Sequence, residues 1–328
     1  MINTWLTKTF DIKYPIIMAP MFLVSNEKML ISANKAGITG CIPTLNFRTP
    51  ELLAEAMKSI KEKSKGAFGV NLIVNKSNIH LKAHMEVLEK YKPNYIITSL
   101  GSPEETIKTF QPLGVKIICD VIDIEYAKKC ESLGADAIIA VNSGAGGHAG
   151  PTPSSILVPM LKENTSLPVI SAGGVGTGAG LLSAIALGAE GVSIGSPFIP
   201  TIESDVSEGY KQAAVDYGAS DIGLTTKLSG SPCTVIQTPF VKKMGLDQNP
   251  LEAFLNSNKK IKKYAKMLTY YKGTKLLEKA AFSATYKSVW CAGQSIEFSK
   301  KIESVESIIS RITSEYEVAL KELNQKNI

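Results

Sequence analysis

The 328-residue sequence predicts an α/β fold, a (β/α)8 TIM barrel with a smaller, mostly helical domain inserted after strand eight. Three observations carry this. Eight short runs rich in Val, Ile and Ala recur between Ile16 and Ile194, and apolar runs without polar alternation mark strands buried on both faces. Helical patterns fill most of the gaps, and strands alternating with helices require parallel pairing. Glycine-rich turns follow both the seventh and the eighth run, where barrels commonly hold a phosphate. An open doubly wound sheet is the structural rival.

The strand candidates are residues 16–19, 38–42, 67–72, 95–98, 115–119, 137–141, 169–172 and 191–194. Helical spacing is clear at 50–63, 103–110, 124–133 and 179–187. Two of these helices run out through Gly134-Ala135 and Gly188-Ala189, where glycine supplies a left-handed C-cap. From Glu203 the strand pattern stops and lysine-rich helical spacing takes over. Residues 203–286 are therefore read as a helical substrate or lid domain. Residues 1–202 and 287–328 form the barrel, with its last helices in 289–325.

Composition bounds the function. The chain is 44% hydrophobic and 20% charged, as ordinary globular proteins are. Its net charge of +6 is almost all lysine, arginine occurring only at Arg48 and Arg311. Nucleic-acid binders rely on arginine forks and a concentrated basic face, so no nucleic-acid partner is expected. No apolar run approaches the roughly 20 residues of a membrane span, and the N-terminus lacks a signal peptide's layout. Cys41, Cys119, Cys130, Cys233 and Cys291 are an odd set without a CxxC pair, which suggests reduced thiols and a cytoplasmic location.

The turn after the seventh run contains Gly173, Gly174, Gly176, Gly178 and Gly180 before a helix. Glycines let the backbone approach a ligand, and a helix N-terminus favours an anion. The G-x-G-x-x-A match to a dinucleotide fingerprint is weak, because the acidic Glu190 starts the following strand instead of ending it. With the second turn at Gly195-Ser196, the pair reads as one phosphate site made by Gly173, Gly174, Gly195 and Ser196.

Three histidines occur. His80 and His84 lie four apart on one predicted helix; without the glutamate of HExxH or a third ligand they read as a solvated helix face, and no metal is expected. His148 lies in Gly144-Ala-Gly-Gly-His-Ala-Gly150, directly after the sixth strand, on the face where barrels keep their chemistry. Histidine exchanges protons near neutral pH, so His148 is the candidate catalytic residue. The bland alternative is a loop histidine that anchors its own turn.

These residues resemble the nitronate monooxygenase (2-nitropropane dioxygenase-like) family of FMN barrels. That family is related to flavin-containing enoyl-acyl-carrier-protein reductases and some NADH:quinone reductases. The likeness runs through Pro15-Ile-Ile-Met-Ala-Pro-Met21, Gly69-Val-Asn71, Gly146-Gly-His148, Ser171-Ala-Gly-Gly174, Gly188-Ala-Glu-Gly191 with Gly195-Ser196, and Trp290-Cys-Ala-Gly-Gln294. It implies FMN across the barrel mouth, with Ala19, Pro20 and Met21 beside the ring, Asn71 hydrogen-bonded to it and Lys116 in contact. It further implies Gly147 and Ala172 near the cofactor, the phosphate on Gly173, Gly174, Gly195 and Ser196, and His148 in the active site. Three departures stand out. Ser196 replaces a common threonine, Met-Ala-Pro-Met replaces Gln-Gly-Gly-Met, and Asn142 stands where related enoyl reductases often carry glutamate.

The resemblance implies oxidation of an alkyl nitronate with O2 to a carbonyl compound and nitrite. The alternative on the same fold is an NAD(P)H-dependent FMN reductase of an enoyl thioester or a quinone. For that role Lys259, Lys260, Lys262, Lys263, Lys266, Lys272 and Lys275 could receive an acidic partner, a solvated helix surface being the weightier reading. A flavin-free barrel acting on a phosphorylated metabolite as isomerase or lyase is the reading from another class. The partners are a small-molecule substrate with O2 or NAD(P)H, no membrane, and a homodimer is allowed.

Overall fold

The computed structural model describes residues 2–75, 78–226, 232–247 and 289–326. The barrel strands are β1 (Ile16–Met18), β2 (Thr39–Pro43), β3 (Phe68–Ile73), β4 (Tyr95–Ser99), β5 (Lys116–Val121), β6 (Ala137–Val141), β8 (Val169–Ala172) and β9 (Gly191–Ile194). They pair in parallel in that order, and β9 closes the ring on β1 with Ile17 opposite Ser193. The fold class is a closed eight-stranded TIM barrel, and the open-sheet rival falls because both edges are paired. A two-residue strand, β7 (Gly147–His148), leaves the ring after β6.

Alternate residues of each strand face opposite sides. Ile17, Cys41, Tyr95, Ile97, Ile118, Ile139 and Ile170 pack together inside the barrel. Their neighbours Ile16, Met18, Ile42, Ile96, Ile117, Cys119 and Ile138 pack outward against the helices. At the N-terminal end, helix α1 (Trp5–Phe10) plugs the barrel with Leu6 and Phe10, the Phe10 ring lying 4.8 Å from that of Tyr95. The Tyr95 ring fills the place a Cβ at Gly69 would take, 2.1 Å away, which explains one glycine of the Gly69-Val-Asn71 motif.

The helical layer comprises α2 (Glu27–Lys35), α3 (Pro50–Lys63), α4 (Leu81–Tyr91), α5 (Glu104–Phe110), α6 (Ile124–Ser132), α7 (Ser154–Asn164) and α8 (Gly178–Ala186). Side-chain caps fix several starts. Thr49 accepts from Leu52 N–H ahead of Pro50, and Thr177 accepts from Gly180 N–H. The long α11 (Val305–Gln325) lies against α8, close enough that a Cβ at Gly178 would reach 2.0 Å from the Tyr316 nitrogen. His84 departs from the sequence expectation: it lies on the buried face of α4, and burial with the nearby His80 pulls its pKa down to about 4.

After β9 come α9 (Glu208–Asp216), β10 (Ile222–Thr225), β11 (Cys233–Ile236) and α10 (Pro239–Met244). The sequence reading expects no strands past Glu203, so the antiparallel pair β10–β11 is a correction. Each strand has four residues; they pair with each other, and β11 also pairs with the distant β7. The lysine cluster from Lys259 to Lys275 lies outside the described residues. Among the described residues, no helix is long and apolar enough to cross a membrane.

Candidate active site

The period of two that fills the barrel interior also decides what reaches its mouth. Continuing the inward positions toward the C-terminal strand ends gives Ala19, Asn71, Ser99, Asp120, Val141, Ala172, Ser193 and Gly195, all on the wall of one cavity. Its volume is about 950 Å3, at the upper end of the roughly 300–1,000 Å3 range of ligand pockets. Pro20, Met21, Gly147, His148, Gly173, Gly174 and Ser196 line it as well. Of the catalytic and cofactor-binding residues expected from the sequence, the cavity gathers every one except Lys116.

Lys116 is the correction here. It shares the inward parity of Asp120 but begins β5 instead of ending it. Its ammonium lies at the opposite end of the barrel, 2.8 Å from Asp136 Oδ1. The residue that β5 sends to the mouth is Asp120, which sequence reasoning missed. Its signal was a carboxylate interrupting the apolar run Ile117-Ile-Cys-Asp-Val121 near its C-terminal end. Burial against the barrel wall raises the Asp120 carboxyl to about 6, although Ser99 Oγ donates a hydrogen bond to it. Asn71 in turn donates to Ser99 Oγ at 2.7 Å and to the Ile97 carbonyl at 3.1 Å. Both amide hydrogens of Asn71 are thus engaged by the barrel, which leaves its carbonyl oxygen to meet a ligand as an acceptor.

The His148 loop is built by three supports. Asn142 ties it to the turn after β8, donating to Gly173 O at 3.0 Å and accepting from Gly144 N–H at 2.8 Å. The β10–β11 hairpin places Cys233 opposite His148 and Thr234 opposite Gly147. Thr234 Oγ1 donates to Ala145 O at 2.9 Å and contacts Gly147 O at 3.3 Å. The segment around Gly293 closes the far side: Gly293 N–H donates to Ser196 Oγ at 2.8 Å, and a Cβ at Gly146 would collide with both groups. His148 itself opens onto the cavity, and the surrounding walls desolvate it enough to lower its pKa from the ordinary 6.5. It is therefore mostly a neutral imidazole at pH 7, able to accept a proton.

The glycine turns leave a cradle. Gly173 has φ +112°, and a Cβ there would sit 2.4 Å from the Ala145 nitrogen and 2.6 Å from Asn142 Oδ1. Gly174, at φ +77°, would meet no atom within 4 Å. The first glycine makes the turn close on the His148 loop; the second faces open space in the cavity beside Gly195 and Ser196. An anionic head group of a flat cofactor fits this opening.

The sequence pattern of the nitronate monooxygenase family matches residues 3–315. The chain belongs to the nitronate monooxygenase family. Its members are flavoproteins, and this protein is an oxidoreductase. A probable nitronate monooxygenase of Staphylococcus aureus is 29% identical, over 73% of this chain and 79% of that protein. A Rhodococcus jostii protein named (3aS,4S,5R,7aS)-5-hydroxy-7a-methyl-1-oxo-octahydro-1H-indene-4-carboxyl-CoA dehydrogenase is 29% identical over 74% of this chain and 68% of its own length. Among solved structures, FabK from Thermotoga maritima superposes with a TM-score of 0.87 at 27% identity, covering 99% of this chain and all of that one. Nitroalkane oxidase from Streptomyces ansochromogenes, at 20% identity and TM-score 0.82, shares the fold.

Proposed function

We propose that the protein is an FMN-dependent nitronate monooxygenase that converts alkyl nitronates with O2 to carbonyl compounds and nitrite. The observation that carries this reading is His148 standing in the same cavity as the paired glycine turns, held there by three separate supports. Gly173, Gly174, Gly195 and Ser196 would hold the phosphate, Asn71 would accept from a ring N–H, and Ala19, Pro20, Met21, Gly147 and Ala172 would border the ring. Bound FMN supplies the electron acceptor and the reactivity toward O2. His148, neutral at pH 7, takes the proton from the carbon of a nitroalkane at an imidazole nitrogen. In its protonated form it holds the negative charge of the nitronate.

Asp120 favours a second reading. Above pH 6 its carboxylate puts negative charge on the cavity wall, which disfavours an anionic nitronate and favours a neutral substrate. A reductase meets that condition at the reacting groups, because a reduced nicotinamide ring and an enoyl thioester or quinone are uncharged there, their phosphates lying elsewhere. The likeness to a carboxyl-CoA dehydrogenase points the same way.

One experiment separates the two. Purified protein loaded with FMN is titrated anaerobically with an alkyl nitronate, NADH and NADPH while the flavin absorbance is followed. Bleaching by nitronate, slowed strongly in His148→Ala, supports the monooxygenase. Rapid bleaching by NADH or NADPH with none by nitronate supports the reductase. Protein that stays colourless with FMN supplied would return the site to a flavin-free barrel.

A further inference from the structure

The geometry points to a redox-active dithiol at Cys233 and Cys291, which hydrogen peroxide converts to a disulfide on the wall of the active-site cavity. The two sulfurs lie 3.6 Å apart although 58 positions separate them in sequence. Both residues line the cavity, Cys233 buried in β11 and Cys291 half-buried beside it.

The approach is held by backbone on both sides. Val235 pairs with Cys291 in an antiparallel bridge, and Ile236 N–H donates to Trp290 O at 2.8 Å. The Tyr210 hydroxyl donates to Cys291 O, and the Tyr210 ring stacks on Trp290 at 5.4 Å. β11 is fixed in turn by β10 and β7. A disulfide bond is about 2.05 Å long, so the two sulfurs must close from 3.6 Å to bond.

A second pair shows what sets this one apart. Cys119 and Cys130 also interact, but they are shut between β5 and α6 in the helix-facing core and take no part in the cavity wall. Of the five cysteines, Cys291 and Cys233 are the two on the cavity wall.

The step balances with peroxide as oxidant. The Cys291 thiol, held protonated by its contact with Cys233 and by burial, gives its proton to the departing hydroxide as its sulfur attacks the other peroxide oxygen; the O–O bond breaks, one water leaves and Cys291 becomes a sulfenic acid. The Cys233 sulfur then attacks the Cys291 sulfur, the S–O bond breaks, and the hydroxide leaves with the Cys233 proton as a second water. Two thiols lose two electrons and two protons, and peroxide is reduced to two waters. The bond joins the strand opposite His148 to the segment whose Gly293 holds Ser196, covalently linking two supports of the His148 loop.

The test treats the full-length protein with hydrogen peroxide, blocks remaining thiols with iodoacetamide under denaturing conditions, and maps unreduced peptides by mass spectrometry. The expected product is a Cys233 peptide joined to a Cys291 peptide, lost on adding dithiothreitol, with Cys41, Cys119 and Cys130 carrying the blocking group. In Cys233→Ser, dimedone should capture Cys291 as the sulfenic acid. Oxidation of Cys291 to sulfinic acid in the wild type without a linked peptide would overturn the assignment. So would a bond that joins Cys119 to Cys130 or links two chains.

Discussion

Thr234, in a strand that follows the barrel, donates its hydroxyl hydrogen to the carbonyl of Ala145, three residues before His148, at 2.9 Å. The bond is buried and joins positions 89 apart, so the hairpin acts as a brace for the histidine loop. Thr234→Val keeps the shape and strand preference but removes the donor. Thermal unfolding should show a loss of about 1–2 kcal/mol, the usual consequence of leaving a buried carbonyl without its partner. Anaerobic bleaching by the active substrate should slow about tenfold through displacement of His148, with Thr234→Ser restoring both quantities.

Asp120 gives a prediction with a definite sign. Its carboxyl ordinarily titrates near 3.8 and here near 6, so between those values the folded protein holds more protons than the unfolded chain. Its contribution to stability is greatest below pH 3.8 and declines as pH rises to 6, staying low above that. Asp120→Asn, which still accepts from Ser99, should raise the melting temperature at pH 7. The gain should be about 1–2 kcal/mol once the carboxyl's opening to the cavity is allowed for, and should vanish below about pH 4. The pH profile of turnover should lose an inflection near 6 in the same variant. His148, whose pKa falls below 6.5, should leave a separate acid limb that only a His148 substitution removes.

The contrast between Lys116 and Asp120 shows where sequence reading stopped. Strands such as Ala137–Val141 and Val169–Ala172 were legible because burial on both faces demands unbroken apolar runs. The glycine turns after β8 and β9 were legible because glycines let the backbone approach a ligand, whereas Asn71 and Ala172 were placed only by the family resemblance. Lys116 came from the resemblance alone: a basic contact was carried over from related flavoproteins onto a residue that enters its strand, and so lies at the end away from the mouth. The hairpin was hidden for another reason. Ile222–Thr225 and Cys233–Ile236 are too short to show a period, and β11 is held partly by Gly147–His148, a partner no local window contains.

His84 should make the protein sensitive to mild acid. Its ordinary pKa of 6.5 falls to about 4 through burial and the neighbouring His80. Between these values the unfolded chain binds the extra proton, so stability falls as pH drops from 6.5 to 4 and levels off below. The loss attributable to this site is on the order of 3 kcal/mol. Urea titrations across that range should show a flatter dependence in His84→Leu than in the wild type. An unchanged slope would mean that His84 is protonated in the native state.

Gly173 and Gly174 make different demands, and substituting each separates folding from ligand binding. At Gly173 an alanine methyl would drive into the Ala145 nitrogen and Asn142 Oδ1 at a φ of +112°. Gly173→Ala should therefore cost about 3 kcal/mol or more in the protein without ligand, and should disturb the His148 loop as well. At Gly174 the same methyl meets nothing within 4 Å and bears only the strain of φ +77°, about 1 kcal/mol. It would instead occupy the opening assigned to the phosphate. Gly174→Ala should unfold within a few degrees of the wild type yet bind FMN at least tenfold more weakly, as read by flavin fluorescence. Equal FMN affinity in Gly174→Ala would move the phosphate away from this turn, whatever Gly173→Ala does to the fold.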